Sequence, residues 1–403
     1  MLNTPFSSWP SFTKEESDSI SNVLLSNKVN YWTGQECREF EKEFAAYTDS
    51  KYAIALSNGT VALDLAFHGI GIQQGDEVIV TSRTFLASVS RIVNTGAIPV
   101  FVDVSGETQN ITPEAIISAI TDKTKAIVCV HLAGWSCEMD EIMEIANEHN
   151  LFVIEDCAQA HGAKYKGRSV GSIGYVGCWS FCQDKIMTTG GEGGMVTTNQ
   201  EVLWKKMWAF KDHGKSYDTV YNKQHPPGFR WLHESFGTNW RMTEIQGAIG
   251  RIQLKRMPDW TAKRNRNQNA IWNTAKVLNG LRVPRFQCTS CTGCDDSKKC
   301  VHAAYKTYVF VEPDKLNEGW SRDKIIDAIV QAGVPCFSGS CSEVYLEKAF
   351  DNTAYRPQKR LPVAKELGET SLMFLVHPTL TQDEIELTCK VLSKVMHLAA
   401  IQN

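Results

Sequence analysis

The apolar positions of the chain fall into two alternating rhythms. Thr13-Lys14-Glu15-Glu16 has the spacing of a capping box and introduces a helical stretch carrying Ile20, Val23 and Leu24. From Asn58 onward, helix and strand signals take turns. The pattern predicts helices over Thr60–Ile70, Phe85–Asn94 and Asp140–Glu148. Another opens at Thr112-Pro113, with threonine as cap and proline at the first helical position. Between them, Glu77–Val80, Ile98–Asp103, Ala126–Val130 and Leu151–Ile154 read as strands. Strands that are apolar throughout and separated by helices belong to a sheet covered on both faces. The expected fold is α/β, a mostly parallel sheet flanked by helices.

The rhythm changes after Ile245. Gly247–Lys255 continues a helix, and a basic, polar stretch follows through Lys263-Arg264-Asn265-Arg266. A cysteine-rich segment comes next, then a strand at Tyr308–Val311. Ser321 caps a predicted helix through Ile329, and Thr381 with Glu384 forms a capping box for the last helix. We therefore expect a large α/β domain over residues 1–245 and a smaller α+β domain over 246–403 with an insertion at 288–300.

Composition narrows the function classes. The chain has 403 residues, 43% hydrophobic and 22% charged, with a formal net charge of −3, so disorder is not expected. A near-neutral balance lacks the electrostatic footprint of a nucleic-acid binder. No apolar run is long enough for a membrane span. Met1-Leu2-Asn3-Thr4-Pro5 lacks the basic and apolar regions of a signal peptide, so a cytoplasmic location is expected. The 13 cysteines, an odd number, then argue against a disulfide framework.

Four local features carry candidate chemistry, and each has a bland alternative. Ser57-Asn58-Gly59-Thr60 is a turn opening a helix: its free N–H groups suit a phosphate, though an ordinary helix cap looks the same. Asp156, in Glu155-Asp156-Cys157-Ala158-Gln159-Ala160, follows a predicted strand, where ligands of open α/β sheets bind. A carboxylate there can keep a pyridinium nitrogen protonated, or merely cap a helix. Ser180-Phe181-Cys182-Gln183-Asp184-Lys185 precedes the glycine-rich Thr188–Gly194 and fits a Schiff-base lysine, or a hairpin turn with a solvated one. Gly237-Thr238-Asn239-Trp240-Arg241-Met242 places polar donors before a helix, which could equally be a plain helix start.

Taken together, their order and spacing resemble the DegT/DnrJ/EryC1/StrS family of pyridoxal-phosphate-dependent sugar aminotransferases. The resemblance runs from Trp32-Thr33-Gly34 to the last helix and includes Gly75–Ile79 and Gly96–Asp103. It implies the type I fold of pyridoxal-phosphate enzymes. It makes Lys185 the lysine that bonds the cofactor and shuttles a proton, Asp156 the partner of the pyridine nitrogen, and Gln159 the neighbour of its 3-hydroxyl. Gly59, Thr60 and Ser180 match phosphate ligands, and Phe85 matches the aromatic that stacks on the ring. Asn239 matches a residue reaching the neighbouring subunit's phosphate, which implies a homodimer with shared active sites. His213 and Arg241 fall where the family places substrate-facing loops. The implied substrates are L-glutamate and a nucleotide-linked keto-sugar, for lipopolysaccharide O-antigen or other glycoconjugates. The Gly333–Tyr345 loop looks most like enzymes making dTDP-4-amino-4,6-dideoxy-D-glucose (viosamine), with UDP- or GDP-linked sugars as alternatives. Two other readings are a pyridoxamine-phosphate-dependent iron–sulfur sugar deoxygenase and a non-catalytic regulator. A lysine rather than histidine at 185 disfavours the first. Intact Lys185, Asp156 and Ser180 disfavour the second.

Cys288, Cys291, Cys294 and Cys300 depart from the family pattern. Two-residue gaps separate the first three, which is ligand-like spacing, and His302 follows closely. A structural zinc site, a metal-free surface insertion and an iron–sulfur cluster are the open readings. Elsewhere Cys129, Cys157, Cys336 and Cys341 are expected to pack as small hydrophobes, and Trp231 and Trp240 as core or interface residues.

Overall fold

The computed structural model describes residues 6–228, 230–285 and 299–401. Two helices, α1 (Lys14–Leu25) and α2 (Glu36–Tyr47), precede the sheet. The predicted capping box of α1 forms, with the Thr13 N–H donating to the Glu16 carboxylate at 2.9 Å. Five strands then alternate with helices: β1 (Tyr52–Leu56), α3 (Gly59–Ile70), β2 (Glu77–Thr81), α4 (Ala87–Asn94), β3 (Ile98–Val102), α5 (Pro113–Ile117), β4 (Thr124–Val130), α6 (Met139–Glu148) and β5 (Phe152–Asp156). A small ribbon of β6 (Lys164–Tyr165) and β7 (Arg168–Ser169) leads to β8 (Val176–Ser180) and β9 (Gly194–Thr198). Helices α7 (Glu201–Lys211) and α8 (Tyr217–Tyr221) follow.

The main sheet has the order β1-β9-β8-β5-β4-β2-β3. Only β9 runs against the others, being antiparallel to both β1 and β8. Both faces are covered, and alternate side chains serve each face. Val78 and Val80 of β2 pack with α3 and α4, while Ile79 packs with Ile142 and Ile145 of α6. Likewise Ile54 and Leu56 of β1 face α3, and Ala53 and Ala55 face Phe40 and Phe44 of α2. Two-sided burial is why these strands read as continuous apolar runs.

The segment after Ile245 differs from its expected form. Instead of a short helix followed by a polar connection, α9 runs from Glu244 to Ala275. Its capping box, Thr243 with Gln246, closes the N-terminus, and Pro258 sits on the exposed side. The helix packs against α1 and α2. It also packs against the last helix, α12 (Gln382–Ala399), which follows α10 (Arg322–Gln331) and α11 (Pro362–Thr370). The second sheet, in the order β10 (Leu281–Arg282), β11 (Thr307–Val311), β13 (Ser371–Phe374), β12 (Cys336–Phe337), is antiparallel. Ser321 and Thr381 cap α10 and α12 as predicted. Among the described residues, no helix is long and apolar enough to cross a membrane.

Candidate active site

Because all strands but β9 point the same way, the ends of β1, β5 and β8 meet at one edge of the sheet, where open α/β folds bind ligands. The register aligns Leu56 with Gly194 and Gly194 with Ser180. Ser180 thus lies beside the turn that leads from β1 into α3. Two glycines allow this close approach. A Cβ on Gly59 would lie 2.6 Å from the Ser180 Cβ, and one on Gly194 would clash with the Asn58 carbonyl. Asn58 caps α3 by accepting the Val61 N–H at 3.0 Å. The N–H groups of Gly59 and Thr60, at the first two helical positions, have no intrahelical carbonyl to bond. Together with the Ser180 hydroxyl they form a set of donors suited to an anion.

Asp156 ends β5 and is 7% exposed. Its carboxylate accepts the Ser88 hydroxyl at 2.7 Å and the Ala158 N–H at 3.1 Å. Ser88 also bonds Thr84 at 2.8 Å, which ties Asp156 to the segment carrying Phe85. Helix α4 begins at Ala87, two residues after the predicted start, so Phe85 precedes it. Its ring is 71% exposed. Beneath Asp156, Glu155 is fully buried. Burial pushes its carboxyl up, but His131 and the N–H groups of Gly171 and Gly174 outweigh that and hold it below the usual range. His131, Glu155 and Cys157 are the one group of metal-capable side chains found among the described residues. Those hydrogen bonds already account for the Glu155 carboxylate, and His131 Nδ1 accepts the Cys137 N–H at 3.1 Å.

Lys185 lies in the β8–β9 connection, as the hairpin reading foresaw, but it is not solvated: its side chain is 17% exposed. Two residues from distant parts of the chain hold it. Trp9 donates its indole N–H to the Lys185 carbonyl at 2.8 Å. The Tyr305 ring lies 5.2 Å from Nζ, and the Tyr305 hydroxyl donates to Asp184. Trp9 is itself wedged between Trp260, the Arg264 guanidinium and His377. The segment carrying it is tied down where Ser7 donates to Glu384 and Thr379 donates to the Ser8 carbonyl. Gln159 joins the same constellation. Its side-chain oxygen accepts the Ala133 N–H at 2.8 Å, and the Ala133 carbonyl accepts the Tyr305 N–H at 3.0 Å.

The remaining predicted residues flank the α3 corner. The Ser57 N–H donates to the Trp240 carbonyl at 2.9 Å, and Arg241 bridges to Leu56. Asn239 is exposed and pairs through its backbone with Asp212. The Arg241 guanidinium is engaged by the buried Asp212 carboxylate, which also accepts the Trp32 N–H at 2.7 Å. His213 is exposed, in a left-handed turn (φ 59°) with Gly214 after it. In the Gly333–Tyr345 loop, Ser342 accepts from the buried Arg83 at 2.7 Å and the Val344 N–H donates to Ser82 at 3.0 Å. The loop is therefore pinned directly before Phe85.

Cys288, Cys291 and Cys294 lie outside the described residues. Cys300 is half-buried, and its sulfur accepts the Lys166 N–H at 3.3 Å. Cys129, Cys157 and Cys336 are buried as expected, but Cys341 is exposed, because it precedes the point where the loop turns in at Ser342. Trp240 packs at the edge of the core, whereas Trp231 is 82% exposed. Sequence reasoning missed Trp9 and Tyr305, which sit in no local motif, and Ser88, which closes the Thr84–Ser88 segment around Phe85.

Residues 10–393 match the model of the DegT/DnrJ/EryC1/StrS aminotransferase family. The chain is 35% identical over 390 residues to GDP-perosamine synthase of Escherichia coli O157:H7, covering 96% of each. It is 32% identical over 377 residues to dTDP-3-amino-3,6-dideoxy-alpha-D-galactopyranose transaminase of Aneurinibacillus thermoaerophilus, covering 93% of each. The crystal structure of an aminotransferase from Psychrobacter cryohalolentis is 66% identical and superposes with a TM-score of 0.93, covering 98% of this chain and 99% of that one. The α/β fold implied by the resemblance is thus the fold observed, and the chain belongs to the DegT/DnrJ/EryC1/StrS aminotransferase family.

Proposed function

We propose that the protein is a pyridoxal-phosphate-dependent aminotransferase that moves an amino group from L-glutamate to a nucleotide-linked 4-keto-6-deoxy sugar. What supports this reading is that Asp156, Ser180 and the α3 N-terminus lie at one sheet edge, with Lys185 half-buried in the connection that leaves β8 at Ser180. These residues fit the cofactor. The α3 corner with Ser180 would hold a phosphate, Asp156 a protonated ring nitrogen, and the open face of Phe85 a flat ring, with Gln159 beside them. When bound, the cofactor supplies an electron-withdrawing ring that makes the proton on an amino-bearing carbon removable.

This chain's own groups do the rest. The two hydrogen bonds on Asp156 fix its carboxylate in the acceptor role. Lys185, held by Trp9 and Tyr305, takes the proton from one carbon and returns it to another. A second copy completes the site through the exposed Asn239. The exposed Trp231 and Phe236 (98%), in the same stretch of chain, support such a dimer face.

For the acceptor, the loop resemblance favours dTDP-4-dehydro-6-deoxy-D-glucose, giving the viosamine nucleotide for O-antigen synthesis. The similarity to GDP-perosamine synthase favours a GDP-linked sugar as a second reading. Incubating the purified protein with glutamate and dTDP-, GDP- and UDP-linked 4-keto-6-deoxy sugars separates the two. A visible cofactor band that glutamate bleaches, absent in Lys185→Ala, is expected. A Lys185→Ala variant with full turnover would end the proposal.

A further inference from the structure

Lys306 differs from the other charged groups around Lys185. It lies directly before β11, next to Tyr305, and both lysines address that ring: Lys185 Nζ is 5.2 Å and Lys306 Nζ 5.0 Å from its centroid. The two ammonium groups are therefore no further apart than those two distances laid end to end. Asp184, the nearby acid, already accepts the Tyr305 hydroxyl and lies 4.0 Å from Lys185. Arg264 and His377 are the other titratable groups turned toward this corner, and neither carries negative charge. Among the described residues, no hydrogen bond or ion pair engages the Lys306 ammonium, although the side chain is half-buried.

A half-buried cation with no anion in hydrogen-bond reach is costly unless a ligand supplies one. We infer that Lys306 anchors a carboxylate of the amino donor, an amino dicarboxylic acid bound with its amino group toward Lys185. The inference rests on the aminotransferase reading. Gly59, Thr60 and Ser180, the donors of the phosphate corner, sit on other elements. Transamination also explains why the anchor is a lysine. One site must admit an anionic amino acid and then the uncharged ring of a sugar. An arginine would stay charged and unpaired in the second step, whereas a lysine can shed its proton. Burial lowers the Lys306 ammonium to about 8, with Asp184 opposing and Arg264 and Lys185 adding to the effect.

The test is calorimetric titration of the holoenzyme with glutarate, a dicarboxylate that cannot react, and separately with UDP, dTDP and GDP. Lys306→Met should weaken glutarate about ten- to hundredfold and raise the KM for glutamate by a similar factor, leaving nucleotide binding as in wild type. Lys306→Arg should restore glutarate binding and slow the sugar half-reaction. If Lys306→Met does not fold, Lys306→Gln carries the same test. Unchanged glutarate binding, or loss of nucleotide binding instead, overturns the inference. A wild-type protein that takes no amino group from glutamate overturns the aminotransferase reading itself, so the two failures are distinguishable.

Discussion

Trp9→Phe isolates one atom's contribution to the position of Lys185. The substitution keeps a ring between Trp260, Arg264 and His377 but deletes the N–H that donates to the Lys185 carbonyl at 2.8 Å. A hydrogen bond of this kind contributes about 1 kcal/mol net. Unfolding entropy of about 2.1 cal/mol/K per residue over 403 residues turns 1 kcal/mol into a Tm change of only about 1 °C. Melting temperature is therefore the wrong readout. The same energy placed on the barrier slows the reaction about fivefold, which rapid-mixing kinetics resolves. We expect Trp9→Phe to melt within a degree or two of wild type and to lose about fivefold in the glutamate half-reaction, with cofactor content intact. A half-reaction as fast as wild type would show that the N-terminal segment only packs against the lysine and does not position it.

Other consequences can be checked in parallel. Gly59→Ala forces a methyl to within 2.6 Å of the Ser180 Cβ, so cofactor affinity by absorbance titration should fall tenfold or more while circular dichroism is preserved. Ser88→Ala removes the hydroxyl donor to Asp156 and should slow the half-reaction by about tenfold. His161, His302 and His377 are buried, and burial lowers each to about 3. The unfolded chain takes up protons below about pH 6.5 that the folded one refuses. Stability is then complete above that value and falls toward pH 3, by about 2 kcal/mol per histidine at pH 5. Denaturation curves should show His161→Phe to be less acid-sensitive than wild type. Replacing Trp231 and Phe236 together with serine should shift the protein toward monomer in sedimentation, with activity lost in step.

The parts of the fold that sequence pattern reveals are those whose burial is two-sided and uniform. Strands β2 to β5 each carry a continuous apolar run because helices cover both faces, and those runs stand out. Strands β8, Val-Gly-Cys-Trp-Ser, and β9, Gly-Met-Val-Thr-Thr, are as buried but are broken by glycine, serine and threonine. Gly194 is needed for the close approach of the turn into α3 and Gly177 for that of Gly171, so tight backbone packing erased the strand signal. Helix α9 is hidden for another reason. It packs on several neighbours at once and buries Gln253, Arg264, Asn267 and Gln268 alongside its apolar residues, so no clean periodicity survives. The site divides in the same way. Residues lying in contiguous motifs, such as Lys185 and Asp156, are visible from spacing. Trp9, Tyr305 and Lys306 reach the lysine from more than a hundred residues away and follow no local rule.

Transfer of the amino nitrogen itself tests the account most directly. The holoenzyme would be incubated with glutamate carrying a heavy-nitrogen label and each of the three nucleotide-linked 4-keto-6-deoxy sugars, and the products weighed by mass spectrometry. The account predicts the labelled nitrogen on one sugar nucleotide and none with Lys185→Ala. Recovery of all three sugars unchanged, from protein that holds its cofactor on Lys185, would contradict it.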